Sequence, residues 1–298
     1  MSKHVFCRTL TLERGEPHEG TGELRPRFLM MPWPKGKWRV PRFQSADMSA
    51  ELGEAIRSAM QSDVTSNAVE LVEGTPGQEL PALLAYPEGR FVSTASETEM
   101  VALIEAWTAG HPLPGPVDDR ITILCCTDSK RDACCARFGF ATFKALTAAA
   151  DPARFNVLQS THLGGCRFAA SLIVLPQGQR YGRLEPAEVP AFLAALEHGE
   201  LYLPASRGNP ELDEPAQAAE LAVMRWGAAR GQSQASARLG ERREIDEDHI
   251  VFSAMSGGQR LSVRVAAKVF SVDSACHSVG VEPPDIEKRW LADQVELV

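Results

Sequence analysis

Several absences narrow what this 298-residue chain can be. No apolar run approaches the length that spans a bilayer, and the opening Met1-Ser2-Lys3-His4-Val5-Phe6 lacks the apolar stretch of a signal segment. A cytoplasmic protein without membrane association is therefore expected. Basic residues are not in excess: 31 Lys and Arg face 39 Asp and Glu, for a net charge of −8. That balance argues against nucleic acid, which recruits basic stripes, and suits docking onto a basic partner protein. Cys-x-x-Cys, the usual redox motif, is missing. The seven cysteines are odd in number and partly clustered as adjacent pairs, which is wrong for a disulfide framework. With 44% hydrophobic residues the chain can build its core without disulfides. Ser256-Gly257-Gly258-Gln259 lacks the lysine and hydroxyl of a phosphate loop.

What is present falls into three parts. In the first, Arg27 to Met31 is extended, Met48 to Met60 has helical periodicity, Val69 to Val72 and Leu83 to Tyr86 are strands, and Glu97 to Trp107 is a helix. His111-Pro-Leu-Pro-Gly-Pro-Val reads as a linker. The second part offers strands at Ile121 to Leu124, Phe155 to Leu158 and Ser171 to Leu175, with helices at Phe140 to Ala150 and Pro186 to Leu196. In the third, Pro215 to Trp226 is a helix, and Ile250 to Ala254 with Leu261 to Val265 forms a hairpin. Ile286 to Val298 is open between helix and strand.

The first two parts contain an apparent repeat. Leu83-Leu-Ala-Tyr-Pro-Glu-Gly aligns without a gap onto Leu172-Ile-Val-Leu-Pro-Gln-Gly, and the register holds through Ala102, Ala106 and Gly110 against Ala191, Ala195 and Gly199. Preceded by strand, helix and strand, each copy has the layout of a thioredoxin-like domain. The expected fold class is α/β, with two thioredoxin-like units in tandem and a small C-terminal α+β appendage. Residues 1–117 would be a degenerate unit without ligands, 118–205 the unit bearing the cysteines, and 206–298 a helix plus β-hairpin appendage.

Four cysteines lie in Cys125-Cys-Thr-Asp-Ser-Lys-Arg-Asp-Ala-Cys-Cys135, and His162-Leu-Gly-Gly-Cys166 follows a few dozen residues on. Thiolates and an imidazole from two loops make a metal or iron–sulfur constellation. Along a strand, successive side chains alternate faces, so only one of Cys125 and Cys126 can serve a given site, and Cys125 reads as core. Lys130, Arg131 and the loop amides are candidates to stabilise negative charge there. Cys7, Cys276 and His277 read as structural or incidental.

These motifs resemble the sucrase/ferredoxin-like family of thioredoxin-like [2Fe-2S] proteins. The resemblance rests on Cys126-Thr-Asp-Ser-Lys-Arg-Asp-Ala-Cys-Cys-Ala-Arg, His162-Leu-Gly-Gly-Cys-Arg-Phe and Leu175-Pro-Gln-Gly-Gln-Arg-Tyr-Gly-Arg-Leu. It covers roughly the first two thirds of the chain. It implies ligation by Cys126, by Cys135 with Cys134 as the alternative, and by His162. The histidine that closes the family's second motif is replaced here by Cys166, which gives three cysteines and one histidine. The function so implied is electron transfer through one [2Fe-2S] cluster to a redox partner protein, a carrier rather than an enzyme. Glycoside cleavage is not indicated, because no pair of catalytic carboxylates is recognisable. Two alternatives stand beside this reading: a zinc-stabilised interaction module, since three cysteines and a histidine are a common zinc set, and a thiol-based redox enzyme acting through Cys126 or Cys135.

Overall fold

A computed structural model describes residues 5–41, 43–61 and 67–298. It is a mixed α/β structure with one eight-stranded sheet and a separate four-stranded sheet. Among the described residues no helix is long and apolar enough to cross a membrane.

The chain begins with a short helix, α1 (Cys7–Glu13). It then runs through β1 (Arg27–Pro32), α2 (Ala50–Gln61), β2 (Asn67–Glu73), β3 (Leu83–Tyr86), β4 (Arg90–Val92) and α3 (Glu97–Thr108). Ser96 and Glu99 form a reciprocal capping box that fixes where α3 starts. The second run has the same order: β5 (Ile121–Cys126), α4 (Phe140–Ala149), β6 (Phe155–Ser160), β7 (Leu172–Leu175), β8 (Gln179–Tyr181) and α5 (Val189–Glu197). The sheet order is β4-β3-β1-β2-β6-β5-β7-β8. In each half the first two strands are parallel and the next two antiparallel. The strands of the repeat begin and end at the residues that the ungapped alignment pairs: Leu83 with Leu172, Tyr86 with Leu175, Arg90 with Gln179, Val92 with Tyr181. The halves join where β2 and β6 run antiparallel, Val72 opposite Ser160 and Glu73 opposite Gln159.

Alternation along the strands divides the core between two faces. Leu29 and Met31 of β1 pack with α2 and α3, and Ile123 and Cys125 of β5 with α4 and α5. Phe28, Met30, Leu124 and Cys126 point to the other face. That face carries Cys134, Cys135 and Cys166, with Phe6, Phe138 and Cys276 packed against it.

The last third contains more strand than the sequence pattern suggests. Helix α6 (Glu214–Ala228) packs on an antiparallel sheet of β9 (Arg238–Glu244), β10 (His249–Ser256), β11 (Gln259–Val272) and β12 (Asp285–Leu297), in the order β12-β11-β10-β9. The expected helix and hairpin are there, and the hairpin is flanked by two further strands. The undecided C-terminal segment is β12. Both added strands are edges. Edge strands are commonly charged, and β9 reads Arg-Leu-Gly-Glu-Arg-Arg-Glu, with no apolar alternation to mark it.

Candidate metal centre

Strand β5 ends at Cys126, whose backbone N–H donates to the Ser171 carbonyl across the sheet. The chain then turns through Thr127 to Arg131. Asp128 Oδ1 accepts from the backbone N–H groups of Lys130 and Arg131, so those two amides are spent inside the loop. Lys130 and Arg131 are themselves exposed. Asp132 caps the next helical segment: its Oδ1 accepts from the Cys134 N–H at 2.7 Å. A π-helical turn, Cys135–Gly139, leads into α4. Gly139 sits so close to the end of β5 that an added Cβ would lie 2.0 Å from the Cys126 carbonyl oxygen. Only glycine lets this helix approach the strand that presents Cys126.

The second loop follows β6. Thr161 ties it to the first half of the sheet: its Oγ1 donates to Glu70 and accepts from the Leu71 N–H. Gly164 and Gly165 have φ of +90° and +68°, a conformation that suits glycine. A Cβ on Gly165 would also press on the Arg207 guanidinium and the Phe168 ring, each 3.2 Å away. Arg180 Nη1 donates to the Leu163 carbonyl at 2.6 Å, and Ser171 Oγ to the Gly164 carbonyl at 3.0 Å.

These two loops bring the four candidate residues together. The ligand atoms of Cys126, Cys135 and His162 lie within 4.8 Å of one another. Cys166 Sγ is 3.5 Å from His162 Nδ1, and it lies within 4.8 Å of the Cys135 sulfur. Cys134 does not join them. Successive helical residues are turned by about 100°, so Cys135 faces Cys126 while Cys134 turns to Cys7 and Cys276. Cys125 lies on the opposite face and donates to the Gly139 carbonyl.

The four side chains shift one another's protonation. The hydrogen bond from Cys135 outweighs burial and holds Cys126 well below the ordinary thiol range, with His162 adding to the effect. The Cys135 hydrogen bond likewise lowers Cys166. Cys135, placed between two thiolates, is raised. Burial disfavours the His162 cation, but its bonds to Cys126 and Cys166 prevail and push it up to about 10. The three cysteines are at most 3% exposed, whereas His162 is half-buried and forms the rim.

Behind the second loop lies a set of arginines whose roles were not read from the sequence. Arg167, Arg183 and Arg207 surround the buried Phe168 ring at 4.5, 5.3 and 5.3 Å. Glu16, 1% exposed, binds Arg167 and Arg289, and its backbone carbonyl accepts from Arg183. Burial, followed by the charge of Arg180, pushes Arg207 down to about 9. Arg167, Arg180 and Arg183 lie within the motifs that carried the family resemblance, so their positions were visible while their roles were not. Glu23 pairs with Arg180 and Arg207 on the same side, at 3.5 and 3.8 Å.

The sequence profile of the sucrase/ferredoxin-like family matches residues 19–208, more than half of the chain. The chain belongs to the sucrase/ferredoxin-like family. No curated protein matches it. Among solved structures, it is similar to the wild-type thioredoxin-like [2Fe-2S] ferredoxin from Aquifex aeolicus, at 18% identity and a TM-score of 0.27, over 30% of this chain and 97% of that one. A cysteine-to-serine variant of the same ferredoxin aligns at 18% identity and a TM-score of 0.26, over 29% of this chain and 96% of that one. The family match begins after α1 and ends before α6, so Cys7 and Cys276 lie outside it.

Proposed function

We propose that this protein is an electron carrier holding one [2Fe-2S] cluster on Cys126, Cys135, His162 and Cys166. The observation that carries the reading is the convergence of three buried thiols and one imidazole from two loops, inside the segment matched by the family. The donor set fits: soft thiolates with imidazole suit iron–sulfur or zinc ligation. When bound, such a cluster supplies one-electron oxidation and reduction.

The rest is the work of the chain's own residues. Cys126 and Cys166 are shifted towards the thiolate and Cys135 and His162 towards their protonated forms, and every ligand must give up its proton on ligation. The three cysteines and the sheet face beneath them keep water away. His162 is half-buried and Lys130 and Arg131 are exposed, which leaves these side chains open to a redox partner protein. We further propose that each half of the large sheet is a thioredoxin-like unit, divided near residues 117 and 205. Matching strand order and matching strand limits support this.

Anaerobic purification with iron, sulfide and zinc analysis tests the assignment. Brown protein with two irons and two sulfides per chain, lost in Cys126→Ser, is expected. The same four side chains could close on a single zinc ion; colourless protein with zinc bound at these residues would replace the carrier by a zinc-stabilised module.

A further inference from the structure

We propose that Cys7, Cys134, Cys276 and Asp132 form a second metal site, built for one zinc ion. It is independent of what occupies the first. The three sulfurs make a closed triangle: Cys7 to Cys134 is 3.5 Å, Cys134 to Cys276 is 3.3 Å, and Cys276 to Cys7 is 3.7 Å. None of the three is in a disulfide. A tetrahedral zinc with bonds of about 2.3 Å to sulfur needs sulfurs about 3.8 Å apart. Each side of the triangle is thus within about half an ångström of the required edge.

The fourth ligand is Asp132, one of whose oxygens lies within 4.8 Å of all three sulfurs. Its carboxylate is held in place by the ligands' own backbones. Oδ1 accepts from the Cys134 N–H and Oδ2 from the Cys276 N–H, both at 2.7 Å. Three cysteines and a carboxylate are hard to reconcile with an iron–sulfur cluster here. In a [2Fe-2S] unit each iron keeps two positions for sulfide and leaves only two for protein. Three sulfurs this close must therefore share one metal, and thiolate-rich tetrahedral sites favour zinc.

The geometry explains features that otherwise have no purpose. Cys7 opens α1, in the stretch expected to carry no ligand, Cys134 lies beside the first site, and Cys276 is in the connection between β11 and β12. A metal here would join segments separated by 127, 142 and 269 residues. It would hold the two ends of the chain over the sheet face that carries Cys126. Asp132 also comes within 4.8 Å of Cys135 and Cys166, so it forms the wall between the two sites.

The test uses the full chain, purified anaerobically from zinc-supplemented medium. One zinc that is retained in Cys126→Ser and lost in both Cys7→Ser and Cys276→Ser is expected, while the circular-dichroism spectra of these last two stay at wild type and report that they fold. Cobalt(II) added to metal-stripped Cys126→Ser should give the visible bands of a tetrahedral thiolate complex, and these should be absent when Cys276→Ser is added. Wild-type protein without zinc, zinc unchanged in both serine variants, or a disulfide among these three cysteines by mass spectrometry would each overturn the proposal. Loss of zinc only in Cys126→Ser would assign the metal to the first site and equally refute the second.

Discussion

Replacing Glu16 by Gln tests how far Arg167 and Arg289 depend on the carboxylate between them. Glu16 is 1% exposed, and the side chains of Arg167 and Arg289 are 12% and 7% exposed. Arg167 Nε spans both carboxylate oxygens at 3.1 and 3.0 Å, and Arg289 Nε reaches Oε1 at 3.0 Å. Glutamine keeps the volume but removes the charge and one of the two acceptors. Arg167 then stays buried without its carboxylate, and Arg289 keeps only the more exposed Glu287 at 3.1 Å. Breaking a buried pair in this way costs about 3–5 kcal/mol, most of it the uncompensated charge rather than the lost attraction. At roughly 2–4 °C per kcal/mol for a domain of this size class, the expected fall in Tm is roughly 6–20 °C. Differential scanning fluorimetry on wild type, Glu16→Gln and the exposed control Glu51→Gln measures it, with the control staying within about 0.5 kcal/mol. Adding Arg289→Met to Glu16→Gln should destabilise less than the sum of the two single changes, because the second removes a charge whose buried partner the first has taken away. A Tm for Glu16→Gln within 2 °C of wild type would refute this account; it would mean that water has entered and rehydrated the arginines.

Two further outcomes are expected. Cys166→His exchanges a thiolate for a neutral imidazole at the proposed cluster; voltammetry should show a midpoint potential higher by on the order of 100 mV, and an unchanged potential would remove Cys166 from the ligand set. His18 is 7% exposed, and burial pushes it down to about 4. Its folded value lies below its ordinary one, so the unfolded chain binds the extra proton first. The stabilisation is complete above about pH 6.5 and is lost as pH falls towards 4, up to about 3 kcal/mol. Thermal melts from pH 7.5 to 5 should therefore fall less steeply for His18→Phe than for wild type, and parallel curves would exclude His18 as the source.

Much of the fold was legible because its determinants are local. The repeat could be read from Leu83 to Gly110 against Leu172 to Gly199, since each strand is a short apolar run closed by a Pro-x-Gly turn. The convergence of Cys126, Cys135, His162 and Cys166 was legible for the same reason: two loop motifs carry all four side chains, and only the choice within Cys134-Cys135 remained open. What stayed hidden is what the chain brings together from far apart. Glu16 finds Arg167 at a separation of 151 residues and Arg289 at 273. No periodicity or spacing can signal such a pairing. The edge strands β9 and β12 were obscured because edges carry charge in place of alternation.

The adjacent cysteines show how one local rule can resolve the ambiguity that another leaves. A strand turns neighbouring side chains to opposite faces, and Cys125 and Cys126 obey that rule: one packs under α4 and the other points to the face that carries Cys134, Cys135 and Cys166. A helix turns neighbours by about 100° instead, so Cys134 and Cys135 remain on the same side of the sheet yet aim at different partners. Cys135 meets Cys126 and Cys166, whereas Cys134 meets Cys7 and Cys276. A pair that looked like one ligand and one spare is the shared edge of two thiol clusters. Asp132 follows from the same geometry. As the residue that caps this helix, it must sit beside the first turn, and the first turn is where the two clusters meet.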